Sequence, residues 1–184
     1  MAKRSKETIT LGSGKIYLAE FTGEVPETAQ LETDANLFAY IQGGAELSYE
    51  AEYHEASDDL GFVKKTKITK ESATLKLGLL TWSGNTIEKL APTARVTEDK
   101  AKGTRITKVG GAGNDNGKKY IARFLHEDKQ DGNVRITIVG QNKAGFTLKF
   151  DKDNETVVDM EFGAQPGLDK EGTLIILEEE IDKQ

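Results

Sequence analysis

The chain has 184 residues, 30% of them charged and 7% aromatic, with a formal net charge of −6 and no cysteine. That length suits one domain, or one domain with extensions; the acidic balance argues against a general grip on nucleic-acid phosphates, and the missing thiols exclude disulfides, thiolate metal sites and a cysteine nucleophile. No apolar run has the length of a membrane span, and the basic start, Met1 to Glu7, lacks the apolar segment of a secretory signal, so the chain is expected to be made and kept in the cytoplasm.

In chain order, residues 1–7 read as a polar N-terminal arm. Thr8 to Leu11 and Lys15 to Phe21 read as strands around Gly12-Ser13-Gly14. Thr22 to Asn36 is acidic, contains Pro26 and reads as a loop. Leu37 to Gln42 is a further strand, and Gly43-Gly44 kinks it as a bulge would. After Trp82, Asn85 as a cap, Glu88 three residues on and Pro92 as a stop predict one short helix, Thr86 to Ala91. From Arg105 the pattern returns to short strands: Arg105 to Val109, Lys119 to His126, Val134 to Val139, Phe146 to Phe150 and Val158 to Phe162. Thr173 to Leu177 is apolar on both sides and reads as a central strand. Glycine-rich and Asn/Asp-rich turns separate them, as hairpins require. The predicted core is Leu75, Leu77, Trp82, Phe124, Ile136, Ile138, Phe146, Leu148, Met160, Phe162, Leu174 and Ile176. Residues 178–184 form an acidic C-terminal tail. The fold class is therefore mainly β, a β-sandwich or barrel with one short helix, in a single domain spanning 1–184.

The longest feature is a β-hairpin over residues 45–80. Ala45, Leu47, Tyr49, Ala51 and Tyr53 alternate with Glu46, Ser48, Glu50, Glu52 and His54, the period of a strand with one buried face. The turn is Ser57 to Gly61, and the return arm ends in Ala73, Leu75, Leu77 and Leu79. The outer half is charged on both faces, so it has no apolar side to bury in its own domain. A two-stranded ribbon alone is marginal in water, and exposed edges need covering. Two readings follow: a solvated flap, or an arm lying on a neighbouring subunit through Glu50, Glu52, Tyr53, Glu55, Asp58, Asp59, Phe62, Lys64, Lys65 and Lys67. The second is preferred.

Chemistry-bearing motifs are weak throughout. Gly111 to Gly117 resembles a phosphate loop but has no Gly-Lys-Ser/Thr and no helix after it, so it reads as a hairpin turn. Asp151-Lys152-Asp153-Asn154-Glu155 resembles half a calcium loop without the sharp-turn glycine or the terminal glutamate. His54 and His126 each lie beside carboxylates, a conceivable two-histidine, one-carboxylate site, but they read as polar-face residues near strand ends instead. No serine sits in a nucleophile elbow. No catalytic residue, metal or cofactor is expected.

The order and spacing of several segments resemble the major tail (tail tube) proteins of long-tailed, siphovirus-type bacteriophages or prophages of Gram-positive hosts. The resemblance rests on MAKRSKETITLGSGKIYLAEF, on the hairpin ending in SATLKLGLLTWSGNTIEKL, on NDNGKKYIARFLHED, and on GFTLKFDKDNETVVDMEFGAQPGLDKEGTLIILEEE, so it spans nearly the whole chain. It implies a tail-tube fold and hexameric rings stacked into a conduit for DNA ejection. It implies as partners the tape-measure, tail-tip and tail-terminator proteins, with DNA passing through the lumen unbound and no membrane. The location would be the virion tail, assembled in the bacterial host cytoplasm. It also suggests that Glu46, Glu50, Glu52, Asp159 and Glu161, each opposite an apolar face on its strand, line the lumen; an outward, solvent-facing placement is the alternative. The competing functional class is a monomeric carbohydrate-binding β-sandwich, which would need exposed aromatics.

Overall fold

In a computed structural model the alternating runs fold into an antiparallel sheet that closes on itself. The structure describes Thr10 and residues 12–181. The N-terminal arm, the strand expected at 8–11 (Thr10 apart) and residues 182–184 lie outside the described residues. The strands are β1 (Lys15–Glu20), β2 (Leu37–Ser57), β3 (Lys64–Leu79), β4 (Arg95–Asp99), β5 (Thr104–Lys108), β6 (Tyr120–His126), β7 (Val134–Asn142), β8 (Val158–Ala164) and β9 (Ile176–Glu179). Helices α1 (Thr28–Leu31) and α2 (Gly84–Leu90) interrupt them. Strand β6 pairs with β1 on one side and β7 on the other, so the order β1-β2-β3-β8-β7-β6 forms a ring. β9 is appended to β7, and β4 and β5 form a separate hairpin.

Alternation fills the inside of that ring. Ile16, Leu18, Leu75, Leu77, Leu79, Ala122, Phe124, Ile138, Val158, Met160 and Phe162 form its buried core, with Ile136, Phe146 and Leu148 packed against it. A second core lies outside the ring, where Leu31 of α1 and Leu168 cover Ile121 and Val139. β6 is thus buried on both faces. The ring closes tightly at Gly140, which pairs with Tyr120 of β6 and Ala164 of β8. A Cβ there would stand 2.0 Å from the Gly163 carbonyl oxygen, a contact that backbone must move to relieve. Gly140→Ala is therefore expected to cost about 1–3 kcal/mol or more, the range of overpacked cores, read as a lowered melting temperature. An unchanged melt would mean that β7 and β8 do not approach there.

Several elements differ from expectation. The helix starts at Gly84 rather than Thr86, because Ser83 and not Asn85 takes the cap: the Ser83 backbone N–H donates to Thr86 Oγ1 at 3.0 Å, half of a capping box. The acidic loop contains α1, so the helix count was short by one. β4 was not foreseen; it pairs with β5 alone. Gly111 to Gly117 is not a hairpin turn, since β5 and β6 do not pair; it holds a 3-10 turn at Ala112–Asn114. Phe146 to Phe150 is not a strand: it pairs with no strand of the sheet, and Phe146 and Leu148 instead pack against the ring's core. Leu174 is only half-buried, and the strand near it starts later, at Ile176, and is an edge rather than a centre, with Leu177 exposed. Trp82, expected in the core, is 36% exposed.

Candidate functional site

β2 is 21 residues long and β3 is 16, against about five or six for a usual strand. Only their inner ends belong to the ring. β2 meets β1 from Leu37 to Tyr40, and β3 meets β8 from Thr74 to Leu79. From Lys64 to Ala73, about 30 Å of strand at ~3.3 Å per residue, β3 pairs with β2 alone. The expected arm is therefore present as a free ribbon. Gly43 and Gly44, at φ 82° and 81°, bend β2 at its root, where the register slips between Gln42 and Ala45. Glycine takes this left-handed region without the Cβ penalty other residues meet, so the bulge read from the glycine pair is confirmed.

The arm's two faces both carry charge, as expected, but differ in composition: Glu55, Lys64 and Glu71 share one of them with Tyr49, Tyr53 and Ile68. One carries Glu50, Glu52, His54, Lys67 and Lys70, with Glu52 and Lys70 paired at 2.6 Å. The other continues the apolar inside of the ring outward: Leu47 and Leu75 are followed by Tyr49, then by Tyr53 opposite Ile68. Tyr49, Tyr53 and Ile68 are all exposed. The Tyr49 hydroxyl donates to Glu71, which raises the tyrosine's pKa above its ordinary value. At the tip, Leu60, Phe62 and Val63 are 76%, 82% and 69% exposed. Asp58 shapes the turn by accepting from the Val63 N–H at 2.7 Å, and Glu55 pairs with Lys64 at 3.2 Å. Asp59 and Lys65 are exposed. Monomers rarely leave apolar patches open without a use for them. Sequence reasoning had placed Tyr49 and Tyr53 on one face but not Ile68 opposite Tyr53, nor Leu60 and Val63 exposed at the tip.

The five carboxylates suggested for a lumen share the sheet's outer face. Glu46 faces Lys76, Lys76 faces Glu161, and Asp159 faces Gly78 across β2, β3 and β8. Glu46, Asp159 and Glu161 flank a shallow cleft of about 690 Å³ at the arm's root. Lysines interleave with them: Lys76 lies 3.6 Å from Glu161, and Lys70 neutralises Glu52. The wall is thus of mixed sign, not purely acidic.

The histidines are not brought together. His54 is exposed on the arm, while His126 is buried at the end of β6 with Nδ1 2.8 Å from the Ser13 carbonyl oxygen. Among the described residues no three His, Asp or Glu side chains are placed to hold a metal ion, and no helix is long and apolar enough to cross a membrane. A second exposed apolar feature lies beyond the other end of β3. Trp82 meets Phe150 edge to face, ring centres 6.2 Å apart, beside a groove of about 440 Å³. The signal for it was a tryptophan just outside a strand, which the sequence reading assigned to the core. No protein-family model matches the chain, and no curated protein does.

Proposed function

We propose that the chain is a structural subunit of a phage-type tail tube, not an enzyme, and that it forms hexameric rings stacked into a conduit for DNA. The observation that carries this reading is the arm: a ribbon rooted in a closed β ring, exposing Tyr53 and Ile68 on one face and Leu60, Phe62 and Val63 at its tip, whose outer half pairs with no further strand among the described residues. Such a ribbon is marginal alone and gains stability when another subunit covers it. A contact between two different surfaces of the same chain closes into rings or grows into filaments. The segment-by-segment resemblance supports the tube, its location in the virion tail, and tape-measure, tail-tip and terminator proteins as partners. Negative-stain microscopy and light scattering over a concentration series test the reading. Tubes of uniform diameter are expected; a chain that stays monomeric at every concentration, with and without tail-tip protein, would count against it.

In this reading the outer face with Glu46, Glu50, Glu52, Asp159 and Glu161 lines the lumen. Its balanced charge gives passing phosphates no cationic track to bind. Glu50→Lys with Glu52→Lys leaves Lys67 and Lys70 unopposed and creates such a track. Tubes should still form but retain DNA, more at low salt than at high, as counterion release requires. Equal retention by wild-type and substituted tubes at low salt would place these side chains elsewhere. A second reading, a carbohydrate-binding module, draws on the exposed Trp82 and Phe150; it requires a monomer whose tryptophan emission responds to oligosaccharide.

A further inference from the structure

In each copy of this chain an exposed apolar feature stands at either end of β3. The arm tip precedes β3, where Leu60, Phe62 and Val63 project with Asp58 and Asp59 beside them. The groove follows β3, lined by Trp82, Ile87, Val109, Phe146 and Leu148, with Arg105 at its side. β3 spans 16 residues, about 50 Å at ~3.3 Å per residue, so a subunit's tip is out of reach of its own groove. We infer that the tip of one subunit seats in the Trp82 groove of another, with Phe62 as the inserted side chain.

Three observations favour this occupant. Size agrees, since a groove of about 440 Å³ takes one large aromatic side chain with its neighbours. Polarity agrees, since an exposed Phe62 enters a wall of Trp, Val, Phe and Leu, and large aromatic anchors in apolar pockets dominate interface energetics. Charge agrees, since the tip brings Asp58 and Asp59 to the side where Arg105, held by Glu98 at 2.6 Å, lines the groove; opposite charges at a rim set orientation. Tip and groove are different surfaces, so every copy offers one donor and one acceptor. That makes the contact heterologous. The inference rests on the proposal that the arm covers another copy, and it names where.

The test uses two full-length variants. Phe62→Asp spoils the tip and keeps the groove; Val109→Asp spoils the groove and keeps the tip. Both positions are exposed, and circular dichroism checks that the β fold survives; Thr107→Arg blocks the same groove if Val109→Asp unfolds. Each variant alone should remain monomeric where the wild-type chain assembles. Mixed one to one, they should form a heterodimer of twice the monomer mass that grows no further, because its free tip and free groove are the spoiled ones. Trp82 is the sole tryptophan, so its emission should shift to the blue in the mixture and in neither variant alone. Assembly of either variant alone, or a mixture that stays monomeric, overturns the contact. Tubes from both variants would sink the contact and leave the tube reading standing; a heterodimer from a pair whose wild type never forms tubes would do the reverse.

Discussion

Replacing Ala56–Lys65 with an Asn-Gly turn should give a folded monomer that no longer assembles. The flanking residues Glu55 and Thr66 stand directly opposite each other, so a two-residue type I′ turn joins them without disturbing the register. The excised segment contributes nothing to either of the chain's two larger cores. Changes remote from a core usually move stability by no more than about 0.5 kcal/mol, so the melting temperature should barely change. Assembly should fall away, because Leu60, Phe62 and Val63 leave with the segment. Sedimentation across a concentration series reads the first outcome and a thermal melt the second. Normal tubes from the shortened chain would show that the tip carries no subunit contact. A collapsed melt would show instead that the arm supports its own barrel.

The same ribbon shows what could be read from the residues and what could not. Period two over Ala45 to Tyr53 identified the strand, its inner face and the hairpin, and the Gly43-Gly44 pair identified the root bulge. The second bulge, between Glu52 and Tyr53, was invisible. There Thr69 drops out of the pairing, its hydroxyl donating to the Glu52 carbonyl at 3.2 Å, and Ile68 rather than Thr69 faces Tyr53. A one-residue slip moves every later side chain to the other face, so the sequence did not place Ile68 beside Tyr53 on the face that Glu55 and Lys64 also charge. Trp82 and Phe146 to Phe150 failed for a related reason. Burial and strand pairing there depend on where distant segments lie, and local alternation carries no record of that. The lumen candidates were placed on the correct side of their strands, but the interleaved lysines come from a neighbouring strand whose register only the fold supplies.

The start of the C-terminal segment, expected as an acidic tail, is held through Glu178 and Glu180 by a charge network, and that network should be costly to break. Arg123 points outward from β6 into the second core, 3% exposed. Its Nε donates to Thr137 Oγ1 at 2.9 Å and its Nη1 to Thr28 Oγ1 at 2.9 Å. Nη2 lies 3.0 Å from Glu178 Oε2, an ion pair by distance whose angle does not make a hydrogen bond. Arg135 joins Glu32 at 2.7 Å and Glu180 at 3.1 Å. The hydrogen bond that Arg135 donates to Glu32 raises the Arg135 pKa, burial opposes it and Glu180 adds to it. The two arginines thus tie α1 and β9 to the ring. The Glu178 side chain is 43% exposed, so solvent takes up part of its stranded charge, and the loss of Arg123 costs chiefly its buried hydrogen bonds to Thr137 and Thr28, about 2–4 kcal/mol. Arg123→Met should therefore lower the melting temperature by roughly 4–16 °C, given about 2–4 °C per kcal/mol in a chain of this size. The exposed Glu52–Lys70 pair is shorter, at 2.6 Å, yet solvent screens it, and Lys70→Met should leave the melt nearly unchanged. Adding Glu178→Leu to Arg123→Met should recover part of the loss, because the stranded carboxylate goes too; neighbours in one network couple by about 0.5–3 kcal/mol. If Arg123→Met melts like the wild type, or if Glu178→Leu deepens the loss, β9 is not held by this pair.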